Sequence, residues 1–275
     1  PGEIESILAP ISRSTWDIGR AYGTIAAQFE NQTVEITTFR SDQYEKGSRK
    51  PQVEYGSSLH DDLLRRDFTI NAIALVLPDL VLADPCNGIE DLLAGYLRTP
   101  SKPQLSFSDD PLRMMRGARF ASQLGVFPDE PTLAAMSELS SSIMEVSSER
   151  VRDELVRLIS TESPRNGLQI LDETGIADFI LPELPALRLE ADEHAHHKDV
   201  YQHTLQVLHQ AIDEENRRFP GQKPDVALRL AALLHDIGKP ATRRFEPGGA
   251  VTFYHHDVVG AKLAKARLKD LRFDS

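Results

Sequence analysis

Apolar and polar positions change rhythm about one third of the way along the chain. Before residue 103 the repeat is that of strands. Tyr22 to Phe29 and Val34 to Arg40 are β-rich runs, and Glu30 to Thr33 between them reads as a four-residue hairpin loop. In the second run Val34, Ile36 and Thr38 share one face, and Glu35, Thr37 and Phe39 the other. A short helix is predicted over 2–11, and the polar stretch 41–58 reads as a mobile loop. Beyond Pro103, apolar residues recur every three or four positions. This predicts helices over 110–124, 131–140, 148–159, 165–174, 200–215 and 226–235. Ser147 or Ser148 suits the start of the third of these, and Gly175 the end of the fourth. Pro182 and Pro185 punctuate the chain before a histidine-rich segment. The fold class is therefore α+β: a small head with antiparallel strands over 1–102, a helical middle over 103–188, and a second helical unit over 189–275.

Composition narrows the setting. The 275 residues carry a net charge of −11 and ordinary globular proportions of apolar and charged side chains. A single cysteine, Cys86, excludes a disulfide framework within the chain and fits the reducing cytoplasm. No apolar run approaches the roughly 20 residues a membrane helix needs, and Ala72 to Leu77 stops at Pro78. Pro1 is an unusual natural start, so the chain reads as a fragment.

Three segments carry candidate chemistry in the first half. In Asp109-Asp-Pro-Leu-Arg-Met-Met-Arg-Gly-Ala-Arg-Phe120, Pro111 suits a first helical turn. Arg113, Arg116 and Arg119 recur every three residues along one flank, and Asp110 lies three residues before Arg113. An acceptor beside a bidentate donor can read a nucleobase edge while the other arginines hold phosphates. A solvated helix face with a capping aspartate is the plainer reading of the same pattern. Arg65-Arg-Asp-Phe-Thr-Ile-Asn-Ala72 gathers cations, a carboxylate, a hydroxyl and an amide suited to ribose and triphosphate, or to capping a helix. Asp84 to Leu92 reads as a loop before a helix.

Taken in order, RRDFTINA, DPCNGIEDL, DDPLRMMRGARF and SSERVRDEL resemble the class II tRNA nucleotidyltransferase and bacterial poly(A) polymerase family. The resemblance implies an incomplete nucleotidyltransferase head followed by a helical neck and body that templates nucleotide and binds RNA. In it, Asp110 and Arg113 template incoming CTP or ATP by hydrogen bonds. Arg66, Arg116 and Arg119 bind the nucleotide, with Asp67 and Asn71 near its ribose. Asp84 to Leu92 is a flexible hinge, and Glu149 to Glu154 lies on a neck helix supporting the templating helix. The partners implied are the tRNA 3′ end, CTP and ATP, and the reaction is CCA addition by two-metal phosphoryl transfer. The family's Mg²⁺-binding Asp-x-Asp pair has no counterpart upstream of Glu35, which is a candidate for the supporting third carboxylate or simply the polar side of a strand. The chain as given is therefore expected to transfer nucleotide only as part of the full-length protein.

The last third resembles an HD phosphohydrolase domain through Leu230-Ala-Ala-Leu-Leu-His-Asp-Ile-Gly-Lys239. Imidazoles beside a carboxylate suit a transition metal such as Ni²⁺, Co²⁺ or Mn²⁺. The resemblance makes His203, His235, Asp236 and His256 the ligands of a site that activates water against a phosphoester. A further ligand aspartate is expected beyond Ser275. His194, His196 and His197 read as a solvated cluster starting a helix, or as additional ligands of that site. An alternative function follows, a metal-dependent phosphohydrolase with the head as a regulatory nucleotide-binding module. Finally, Lys262 to Arg272 holds five cations against Asp270. It reads either as an exposed charged face or as a contact for RNA backbone.

Overall fold

The computed structural model describes residues 2–19, 23–43, 52–55, 58–188, 200–247 and 250–273. By internal contacts it divides into one unit of residues 1–66 and 72–86 and a second of 67–71 and 87–275.

In the first unit, helix α1 (Gly2–Leu8) precedes an antiparallel sheet of β1 (Ser14–Gly19), β2 (Thr24–Phe29) and β3 (Gln32–Thr37), in that order. Alternation in β2 turns Ile25 and Ala27 to one side, where they pack with Leu8 and the half-buried Ile4 and Ile36. The hairpin between β2 and β3 closes on Glu30 and Asn31 alone, two residues fewer than the sequence suggests. Pairing also extends into the stretch expected to be a loop: β4 (Arg40–Gln43) runs antiparallel to β5 (Gln52–Tyr55). Helix α2 (Leu59–Leu64) starts on Ser58, whose side chain accepts from Asp61 N, and the hairpin β6 (Ala74–Val76) and β7 (Val81–Ala83) completes the unit.

The second unit is almost wholly helical. A short 3₁₀ turn over 69–71 precedes α3 (Gly88–Ala94), and β8 (Tyr96–Leu97) pairs in parallel with β9 (Phe127–Pro128). Between those strands lie α4 (Pro103–Asp109) and α5 (Leu112–Leu124). Then come α6 (Glu130–Glu138), α7 (Ser148–Ile159), α8 (Pro164–Glu173) and α9 (Ala177–Ile180). The set ends with α10 (Val200–Arg218), α11 (Val226–Leu234), α12 (Lys239–Thr242), the small ladder β10 (Arg244–Phe245) and β11 (Val251–Thr252), and α13 (His256–Asp270). One continuous core runs from Phe68 and Met114 through Leu155 and Leu171 to Leu205 and Leu233.

Two features fix this core's geometry. Helices α5 and α8 cross at Gly167, where a Cβ would lie 2.4 Å from the Ala118 carbonyl. Gly167 N instead donates to Ser122 Oγ at 2.8 Å. Arg229 on α11 is fully buried and joins three helices. It meets Glu215 of α10 at 2.8 Å, and its Nη1 donates to the carbonyls of Ile159 and Thr161 at 2.9 and 2.8 Å. Those carbonyls close the end of α7, where a helix leaves acceptors unsatisfied and favours positive charge.

Candidate functional site

Helix α5 buries Leu112, Met114, Met115, Gly117, Ala118, Phe120 and Ala121, which leaves Arg113, Arg116 and Arg119 half-buried along its outer flank. Each guanidinium has a defined partner. Arg116 gives Nε and Nη2 to Asp67 Oδ2 at 2.8 and 2.6 Å. Asp67 Oδ1 accepts from Phe68 N at 2.9 Å and from Asn71 Nδ2 at 3.1 Å. The structure thus brings Asp67, Asn71 and Arg116 together around one buried carboxylate. Arg119 gives Nε to Glu154 of α7 and Nη1 to Gln123. Arg113 turns Nη1 to Ser106 Oγ at 2.8 Å.

Asp110 stands at the start of α5 in extended backbone (φ −146°, ψ 98°), and its carbonyl accepts from Arg113 N at 3.0 Å, so the aspartate caps the helix as one reading of the sequence expects. Its Oδ1 accepts from Leu112 N, and its Oδ2 takes Arg150 of α7 at 2.9 Å. Helix α7 therefore braces the flank at both ends, Arg150 on Asp110 and Glu154 on Arg119. Arg150 is the residue that sequence reading missed. Its signal was present in the four-residue spacing from Arg150 to Glu154 beside the apolar face of α7.

Other predicted groups lie elsewhere. Arg66 belongs to the first unit and pairs with Asp62 at 3.0 Å. Glu35 is exposed on β3, opposite Ala26 and on the face away from Ile25 and Ile36. Thr69 of the RRDFTINA segment gives its hydroxyl to Asp91 at 2.7 Å, and Arg98 bridges Asp91 and Asp129. The end of the expected hinge is thereby tied into the second unit.

The histidine cluster assembles where α10, α11 and α13 meet. His203 of α10, His235 at the end of α11 and Asp236 place ligand atoms within 4.8 Å of one another. His256 at the start of α13 brings Nε2 to 3.8 Å from Asp236 Oδ1. Gly238 makes this approach possible, because a Cβ there would lie 2.0 Å from the His256 carbonyl. His194, His196 and His197 fall outside the described residues.

Hydrogen bonding orients these rings as ligands. His235 Nδ1 faces the Ala232 carbonyl and His256 Nδ1 the Phe253 carbonyl, each at 2.8 Å. A carbonyl only accepts, so in the neutral rings Nδ1 carries the proton and Nε2 keeps its lone pair for a cation. Asp236 is buried, with His235 Nε2 and Lys239 Nζ both 3.1 Å from Oδ2. Neither contact has the alignment of a hydrogen bond, so that oxygen keeps donor capacity for a cation. Burial alone pushes the Asp236 carboxyl up, but His235 and Lys239 outweigh it and hold it at about 2. The carboxylate beside His235 in turn raises that imidazole. Three imidazoles and an anionic oxygen fit a divalent transition metal.

Comparison with known proteins accounts for the order of these parts. Three family models match in succession: a poly A polymerase head domain over residues 1–98, a probable RNA and SrmB-binding site of polymerase A over 125–187, and an HD domain over 200–274. The A-adding tRNA nucleotidyltransferase of Deinococcus radiodurans is 38% identical over 221 residues, covering 78% of this chain and 49% of that protein. The CCA-adding enzyme of Enterococcus faecalis is 38% identical over 208 residues, covering 71% and 50%. A solved tRNA nucleotidyltransferase complexed with a primer tRNA and an incoming ATP analog shares the fold with a TM-score of 0.62. It is 23% identical and covers 85% of this chain and 61% of its own. The chain spans about half the length of the curated relatives it matches. Both the head and the HD domain imply dependence on divalent metal. Head, RNA-binding and HD segments in this order, with relatives at this identity, place the chain in the tRNA nucleotidyltransferase and poly(A) polymerase family.

Proposed function

We propose that the protein carrying this chain adds CMP and AMP from CTP and ATP to the 3′ end of tRNA. The observation that carries the reading is the braced pair of Asp110 and Arg113, each held by a second group and both half-exposed. Cytosine and adenine each present an exocyclic amine beside a ring acceptor. A carboxylate takes the amine and a guanidinium gives to the acceptor, whereas guanine and uracil put a carbonyl where the carboxylate requires a donor. Arg116, with Nε and Nη2 on Asp67, keeps Nη1 for a phosphate oxygen. Arg119 keeps Nη2 and otherwise holds the flank to α7. Asp67 and Asn71 serve the ribose side, and Arg66 and Glu35 carry roles drawn from the family resemblance alone. Mg²⁺, when bound in the full-length protein, would supply charge stabilisation to the transferring phosphoryl group.

The three-part division at 1–102, 103–188 and 189–275 remains our functional partition. Relatives named for A addition and for CCA addition support transfer to tRNA, and that chemistry suits the cytoplasm. The test is Arg113→Ala in the full-length protein, scored by incorporation of each of the four nucleotides into tRNA lacking its CCA end. Discrimination for CTP and ATP should fall at least about tenfold, and an unchanged preference overturns the reading.

The His203, His235, Asp236 and His256 cluster favours a second activity, hydrolysis of a phosphoester with Ni²⁺, Co²⁺ or Mn²⁺ bound. Its residues would hold the metal through Nε2 and carboxylate oxygen while Lys239 balances the charge of Asp236. Metal-dependent opening of a 2′,3′-cyclic nucleotide to its 2′- or 3′-monophosphate, with water adding to phosphorus and one ribose hydroxyl leaving, is the expected result. No ring opening with any of the three ions would reject this activity.

A further inference from the structure

We infer that the outer face of α13 is a docking strip for the phosphodiester backbone of RNA, an inference that rests on the tRNA reading above. The strip consists of Lys262, Lys265 and Lys269, all exposed. At 100° and 1.5 Å per residue they occupy an arc of about 60° and a length of about 10 Å. The acidic residues of α13, Asp257 and Asp270, fall outside that arc. Among the described residues none of the three lysines forms an ion pair. The fourth cation within the helix, Arg267, is spent on Glu183 at 2.9 Å. That pair and the close packing of Gly260 on Gly238 fix the helix about its own axis, with the lysines outward.

Ordinary solubility does not call for this pattern. The exposed end of α10 shows the usual one, with Arg217 and Arg218 both paired to Glu214. On a chain of net charge −11, an unneutralised strip of one sign is where a polyanion gains contact. Its position fits as well. Just past α13, Arg272 accepts from Arg152 through its carbonyl and lies 4.0 Å from Glu149. Both belong to the first turns of α7, where Arg150 holds Asp110. RNA lying on the strip therefore ends beside the helix that positions the base-reading carboxylate.

The experiment compares the natural protein with its K262Q/K265Q/K269Q variant in tRNA binding across 50–300 mM KCl. Losing three phosphate contacts should flatten the slope of log affinity against log salt by about 2–3 units, equally for tRNAs of different sequence. The K262R/K265R/K269R variant should keep the slope, as should a control variant, K102Q/K223Q. An unchanged slope in the glutamine variant, with parent protein that binds tRNA and adds nucleotide, overturns this inference alone. A parent protein that neither binds tRNA nor adds nucleotide overturns it together with the tRNA reading. Loss of binding to phosphatidylserine vesicles with the tRNA slope intact also overturns it, and makes the strip a membrane contact.

Discussion

Replacing Arg229 with methionine should cost more than any surface change in this protein. Methionine fits the space along the aliphatic stem but removes the charge facing Glu215 and the donors to Ile159 and Thr161. Both members of the pair are buried, so solvent offers little relief to the carboxylate left behind. Breaking such a pair from one side costs about 3–5 kcal/mol. For a chain of this size each kcal/mol moves the melting midpoint by about 2–4 °C, giving a drop of about 6–20 °C. Urea unfolding followed by far-ultraviolet circular dichroism measures the loss directly. A cycle with Glu215→Gln separates the pair from mere truncation, since the amide oxygen of the substituted side chain still accepts from Asp225 N. The double variant should recover about 2 kcal/mol relative to the sum of the single changes. A loss under about 1 kcal/mol for Arg229→Met, or strict additivity, would show that the buried pair does not hold these helices together.

Other outcomes follow from the same geometry. Gly238→Ala drives a Cβ against the His256 carbonyl and Gly260 N, so a cost of about 3 kcal/mol and loss of Mn²⁺ binding by calorimetry are expected. Asp67→Asn sets amide donors against the Arg116 guanidinium, and should cost about 1.5–3 kcal/mol in unfolding and weaken ATP binding. Mn²⁺ at 100 times its dissociation constant should stabilise the protein by about 2.7 kcal/mol, seen as a raised melting midpoint. A chelator should reverse that gain and His235→Ala should abolish it.

Much of the second unit was legible because its signals are periodic and local. The three-residue repeat of Arg113, Arg116 and Arg119 marks a flank, and the apolar rhythm of 148–159 matches α7 residue for residue. Residue type says only that imidazoles beside a carboxylate suit a metal; the resemblance of 230–239 to an HD domain is what grouped His203, His235, Asp236 and His256 before their helices were seen to converge. What stayed hidden depends on distant packing. Arg116 finds Asp67 across 49 residues and Arg150 finds Asp110 across 40, separations that no local rule spans. The strands β4 and β5 escaped because polar composition masks their pairing. The strand β1 carried a readable alternation in Trp16 and Ile18, but it is short and bounded by polar residues.

Arg229 reaches for main-chain oxygens at the end of α7, and every amino acid supplies those oxygens alike. The hydrogen bonds on the receiving side of this joint thus make no demand on the side chains at 159 and 161, although Ile159 is separately required as a buried core residue. All the sequence cost of the joint falls on one arginine and its glutamate. An HD module carrying that pair could be transplanted onto another helical body that offers a suitably placed helix end, with no matching side chain required.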